Sequence, residues 1–225
     1  MSSRINLVTP AFLATLAPPA YADDFQQWAQ IGAKVDLSDK LVLQNELVAR
    51  VSHNQGGLDE IENSLMLGYK LSKKVTVWAG YLHNPNYNAG NFTVMERRAR
   101  EQVTTDNFAK VGAVSLSARL RLEQRLRDGI DGTGWRIRPY LKASLPLGGA
   151  TAPMLNLTEE AFVNLNNTSF QSKDGLERLR TAISLSMPVS KVVKLEAGYL
   201  NQRRFVTNRP NTDDHALTVS ASLSF

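Results

Sequence analysis

Apolar and polar residues alternate singly along most of this chain, most cleanly over its last nine positions. Leu217, Val219, Ala221, Leu223 and Phe225 fall on one face there, and Thr218, Ser220, Ser222 and Ser224 on the other. A period of two is the mark of a β-strand with chemically different faces. Segments of the same kind lie near 25–37, 41–52, 61–71, 75–83, 94–105, 112–127, 134–146, 154–165, 175–187, 192–204 and 214–225. Most of them approach or exceed the ~9–11 residues with which a tilted strand crosses a bilayer. None has a convincing helical period.

The connections between these segments alternate in length. Short ones fall at Ser38-Asp39-Lys40, Ser72-Lys73-Lys74, Pro146–Pro153 and Pro188–Lys191; longer polar ones fall at His53–Glu60, Asn84–Thr93, Asp128–Thr133, Asn166–Asp174 and Val206–Asp213. Short periplasmic turns and long extracellular loops distinguish outer-membrane barrels from β-sandwiches, whose turns are of mixed length. The expected fold is therefore all-β: an antiparallel up-and-down transmembrane β-barrel of about 10–12 strands. Eleven segments is an odd count, so either a strand is missed or split, or the first and last strands close in parallel.

The faces assign lipid and interior. Ser72-Lys73-Lys74-Val75-Thr76-Val77-Trp78-Ala79-Gly80-Tyr81-Leu82 is echoed by Ser190-Lys191-Val192-Val193-Lys194-Leu195-Glu196-Ala197-Gly198-Tyr199-Leu200, a basic turn feeding an ascending strand in both cases. Tyr81, Tyr199 and Trp135 then form one outward aromatic level and Tyr69 and Phe225 another, as a lipid-facing girdle requires. Aromatics filling an ordinary core are the alternative reading.

The opposite face is charged. In Arg119-Leu120-Arg121-Leu122-Glu123-Gln124-Arg125-Leu126-Arg127 every odd position carries charge, and Arg136 and Arg138, Arg98 and Arg100, and Arg178 and Arg180 repeat the spacing. Arg50 and Arg204 complete the basic set, while Glu46, Glu62, Glu96, Glu123, Glu160 and Glu196 supply inward carboxylates. A lipid-facing arginine near the bilayer midplane costs about 2–4 kcal/mol, which puts these side chains inside the barrel. Two outcomes follow. An excess of arginine could line a narrow passive channel for small anionic solutes, or Arg–Glu pairs could plug the interior and leave a closed structural or surface-interaction barrel.

Composition narrows the class. The 225 residues include no cysteine, so disulfides and thiolate metal sites are excluded, and one residue in five is charged. Beyond the first residues no apolar run of about 18 exists, which excludes transmembrane helices but not barrel strands. Arg4, the mostly apolar stretch Val8–Leu16 and Ala20-Tyr21-Ala22 resemble a cleaved export signal over residues 1–22, leaving 23–225 as the barrel. The localisation expected is the bacterial outer membrane. Lipid and lipopolysaccharide would surround a monomer, and assembly machinery would read the C-terminal strand. The net charge of +5 is strand-face charge, so nucleic-acid binding is not expected. No nucleophile motif, phosphate loop, metal set or cofactor motif is present. A lesser possibility is a rim hydrolase that joins His83 and His215 with Asp59, Asp213 and Asp214; His53 is the remaining histidine.

The ordered blocks Glu96-Arg97-Arg98-Ala99-Arg100-Glu101-Gln102-Val103, Arg119–Arg127, Trp135-Arg136-Ile137-Arg138, Glu160-Ala161-Phe162-Val163-Asn164 and Ala197-Gly198-Tyr199-Leu200 resemble the domain-of-unknown-function 2490 family. Arg100 and Glu101 stand where its members often carry an aromatic. The resemblance covers almost all of the chain after residue 22 and implies an exported outer-membrane barrel without an assigned activity. A looser, architectural similarity is to small monomeric porins for acidic oligosaccharides.

Overall fold

The computed structural model describes residues 23–149, 152–171 and 173–225; the expected export signal, residues 1–22, lies outside them. Eleven strands follow in order: β1 Asp24–Asp36, β2 Leu41–Ser52, β3 Gly57–Lys70, β4 Val75–Asn88, β5 Asn91–Val111, β6 Val114–Arg127, β7 Ile130–Pro146, β8 Met154–Asn164, β9 Gly175–Pro188, β10 Val193–Arg204 and β11 Thr212–Ser224. Each pairs antiparallel with the next, and β1 closes on β11 to complete a barrel.

The closing seam is parallel, from Asp24 opposite Asp214 to Lys34 opposite Ser224. This resolves the odd count: no strand was missed. Both strands run toward the end that carries the 37–40 and 71–74 turns, called here the turn end; the other is the loop end. At the seam's foot the Phe225 amide donates to the Lys34 carbonyl at 3.0 Å, and the Asp36 amide donates to the Phe225 carbonyl at 3.1 Å. Those bonds occupy main-chain groups that a frayed terminus would leave unpaired.

The expected asymmetry of loops is largely an asymmetry of strands. Residues 57–60, 84–88 and 91–93, read as loop, are paired backbone, and β4 turns into β5 through Ala89 and Gly90 alone. Both turn residues have positive φ, 48° and 77°, the left-handed geometry of a two-residue hairpin. β5 likewise continues to Val111, past a bulge between Thr105 and Ala109. Glycine, proline and asparagine make the extensions at 57–60 and 84–93 read as turns, although the hydrogen-bond ladder persists. Only the connections 165–174 and 205–211 remain long at the loop end.

The two faces separate as the alternation requires. Leu65, Leu67, Leu120, Ile183, Leu185, Leu195, Leu217 and Val219 are exposed on the outside. Polar residues that share the outer face bond to one another: Asn45 donates to Asn63 at 3.0 Å, Gln124 to Glu101 at 3.3 Å, and Thr181 to Glu159 at 2.6 Å. Inside, Val42, Met66 and Trp78 fill the β2–β4 sector near the turn end, and the Trp78 indole N–H donates to Thr104 at 3.0 Å.

Three inward glycines fit side chains and strands together. A Cβ on Gly68 would lie 2.6 Å from the Trp78 ring, which rests on it. A Cβ on Gly198 would lie 2.6 Å from both the Ile183 carbonyl oxygen and the Ser184 Cβ, and Gly80, its counterpart in the internal repeat, meets Leu65 and Met66 in the same way. Gly198→Val should therefore destabilise the barrel by the upper part of the ~1–3 kcal/mol range for overpacking. The measurement is the denaturant midpoint of refolded protein in detergent, which should fall well below that of wild type.

Candidate functional site

Four glutamates on β3, β5, β6 and β8 organise the interior: Glu62, Glu96, Glu123 and Glu160. Period-two alternation aims each of them inward, and strand register decides which arginine each meets. Glu123 on β6 is wholly buried. It accepts from Arg100 at 2.9 Å on β5 and from Arg136 at 2.6 Å and Arg138 at 2.9 Å on β7. Glu96 accepts from Arg98 at 2.5 Å, Arg125 at 2.8 Å and Arg127 at 2.7 Å. Glu160 takes Arg138 at 2.9 Å and also Arg119, while Glu62 takes Arg98 at 3.1 Å and Arg50 at 3.4 Å. Arg98 bridges Glu62 and Glu96, Arg138 bridges Glu123 and Glu160, and Arg100, 2.9 Å from Glu123 and 3.6 Å from Glu62, joins the two halves into one lattice from β2 round to β8.

Aromatic rings complete it. The Phe162 ring lies 4.2 Å from the Arg138 guanidinium and 4.6 Å from that of Arg180, and Trp28 lies 4.1 Å from Arg50 and 4.6 Å from Arg180. A guanidinium can stack on a ring and still use its in-plane N–H groups. Inward amides accept further donors: Gln102 from Arg121 at 2.8 Å, Gln202 from Arg180 at 2.7 Å and Asn84 from Arg98 at 2.8 Å.

The lattice divides two cavities. That toward the loop end measures about 360 Å³, and that toward the turn end about 340 Å³. Arg50, Glu62, Arg138 and Arg180 line both and so mark the partition. The 165–174 connection folds over the loop-end mouth. Its Gln171 accepts from Arg125 at 3.2 Å and donates to the Trp135 carbonyl at 3.1 Å, and its Phe170 ring sits 5.0 Å from Arg127.

All twelve arginines expected inside are on the inner wall, with Arg204 at the mouth, half exposed and bonded to Asp214 at 2.9 Å. Glu46 and Glu196 line the turn-end cavity apart from the lattice. Of the expected girdle, Tyr69, Tyr81, Trp135 and Phe225 are exposed on the outside, whereas Tyr199 is half-buried there with its hydroxyl against His215 Nδ1. The rim-hydrolase arrangement is not formed. His83 projects outward from β4 and His215 outward from β11, four strands away round the wall, while Asp59 and Asp214 line the inner cavity.

Several inward residues escaped the sequence reading. Trp28 and Phe162 share parity with charged neighbours, and that parity was the available signal. Glu60 joins Arg50, and Glu177 reaches Arg178 at 2.9 Å and Arg136 at 3.7 Å. Glu177 follows Leu176 at a register shift on β9, and Asp59 stands beside Glu60 at another on β3. A bulge reverses the facing of later residues, so simple alternation loses them. These added acids shrink the arginine excess that alternation alone suggested.

The family model for a protein of unknown function, DUF2490, matches residues 25–213, which is β1 to the start of β11. The chain belongs to the DUF2490 family. It is similar to an uncharacterised protein of Methylorubrum extorquens, 27% identical over 179 residues that cover 78% of this chain and 77% of the relative. The matched span of this DUF2490 barrel contains every residue of the ion-pair lattice.

Breaking the lattice from its centre should be costly. Glu123→Gln leaves Arg100, Arg136 and Arg138 sharing one neutral amide, and should lose about 3–5 kcal/mol of folding free energy. Arg97→Ala removes an exposed outer-face pair with Asp128 and should cost at most about 1 kcal/mol. Equilibrium unfolding of both variants in one detergent measures the contrast; equal losses would contradict the central role of Glu123.

Proposed function

We propose that this DUF2490 protein is an outer-membrane barrel shut across its middle by its own ion pairs. It works as a closed, charged scaffold that meets solutes at its two cavities rather than as an open passive pore. The observation that carries this reading is the continuous Arg–Glu lattice between the cavities.

The membrane assignment is supported by the outer surface. A strand of 12 residues such as β2, rising ~3.3 Å per residue and tilted by ~45°, spans about 28 Å along the barrel axis, close to the ~25 Å apolar band of outer-membrane barrels. The exposed leucines and valines of the wall would face lipid, and the exposed Tyr69, Tyr81 and Trp135 would supply interfacial aromatics. In that setting every strand polar group must be satisfied within the barrel, which the closed β1–β11 seam achieves.

A narrow anion channel is the second reading. Arg121 and Arg180, which form no ion pair with any carboxylate among the described residues, favour it. The two readings differ in conductance. Purified protein inserted into a planar bilayer should carry no steady current, and the double variant Glu123→Gln, Glu160→Gln, which loosens the partition, should leak. A steady anion-selective current through wild type would replace the closed-barrel reading with the channel.

A further inference from the structure

The turn-end cavity has a chemistry that the lattice does not use. Arg119 and Arg121 on β6, Lys142 on β7 and Arg180 on β9 supply its cations, Arg119 being paired with Glu160 of the same wall; Glu196 on β10, the strand next to β9, and Glu46 on β2 add further carboxylates. Arg121 spends only its Nε, on Gln102, and Arg180 only its Nε, on Gln202. Among the described residues the terminal nitrogens of both have no hydrogen-bond acceptor, although Arg180 as a whole is 92% buried (8% exposed). Lys142 has no carboxylate within ion-pair distance among the described residues, and Arg119 Nε is buried without a hydrogen-bond partner.

Uncompensated cations in a partly dry cavity are unfavourable unless an anion joins them. Guanidinium forks match oxyanions, donating two parallel N–H bonds to carboxylate or phosphoryl oxygens. β6 and β9 are three strand spacings apart, about 14 Å along the wall. A single small ion would satisfy one fork; two anionic groups on one molecule satisfy both. The volume, about 340 Å³, suits a molecule of that size.

We propose that this cavity is a binding site for a small multivalent oxyanion, a di- or tricarboxylate or a phosphoryl compound. Arg121 and Arg180 grip its two ends and Lys142 adds charge between them. Glu46 and Glu196 oppose entry and set the affinity low enough for release. The site needs no conduction, so a silent barrel can hold the anion and a leaking one can fail to.

Calorimetric titration of the refolded full-length barrel in a non-ionic detergent tests this, with citrate and pyrophosphate as probes at constant ionic strength and chloride as the reference. At least one probe should bind with one-to-one stoichiometry. Arg121→Gln and Arg180→Gln should each weaken that binding by about tenfold, the loss of one charge-assisted pair of bonds. Glu196→Gln removes repulsion and should tighten it several-fold, a gain that misfolding cannot imitate. Binding no stronger than that of chloride would overturn the proposal. So would multivalent binding indifferent to the arginine changes and to Glu196→Gln. Conductance is recorded separately, so loss of the site and loss of the closed-barrel reading are told apart.

Discussion

A buried carboxylate without water must be held by cations, and Glu123 is the point at which this barrel meets that requirement. It lies in the loop-end half of β6 with no exposed surface, and three arginines from the flanking strands converge on it. Attraction in such surroundings is strong, and so is the penalty of desolvation; what the arrangement secures is specificity of register. A slip of one residue between β6 and β7 would exchange Arg136 and Arg138 for the outward Trp135 and Ile137. It would strand the carboxylate and drive arginines into the outer face at the same time. The lattice thus enforces the same register that the apolar exterior demands.

The interior is graded from one sector to another. Around β2–β4 near the turn end, Val42, Met66 and Trp78 fill the space over Gly68. From β5 to β8 the ionic lattice occupies the middle. The turn-end cavity is left where Arg121, Lys142 and Arg180 face Glu46 and Glu196 without pairing. Charge that is paired holds the wall together; charge that is unpaired is available to a ligand. Both kinds come from the same alternating arginines, and only their neighbours across the strands distinguish them.

Much of the architecture was legible in the alternation. The eleven segments correspond to the eleven strands, and the parity of Arg119, Arg121, Glu123, Arg125 and Arg127 placed them correctly inside. Boundaries at the loop end were not legible, because the glycine, proline and asparagine residues of 57–60 and 84–93 read as turn formers, while the ladder there is held by main-chain bonds that no side-chain pattern reports. Glu177 and Asp59 were hidden by register shifts that reverse facing. The separation of His83 from His215 depended on the circular order of strands, to which a linear pattern is blind.

By itself, then, the sequence determined which side of the wall a residue occupies wherever the strand runs without a bulge, since a period of two leaves a strand residue only two directions and apolar positions claim one of them. Tertiary structure decided who meets whom. The parallel β1–β11 seam, the bulges and the stagger between strands set the cross-strand neighbours, and those neighbours made Glu123 the centre of a lattice and left Arg121 and Arg180 without a carboxylate. Facing is a local property of the backbone pleat, whereas pairing is a property of the closed sheet.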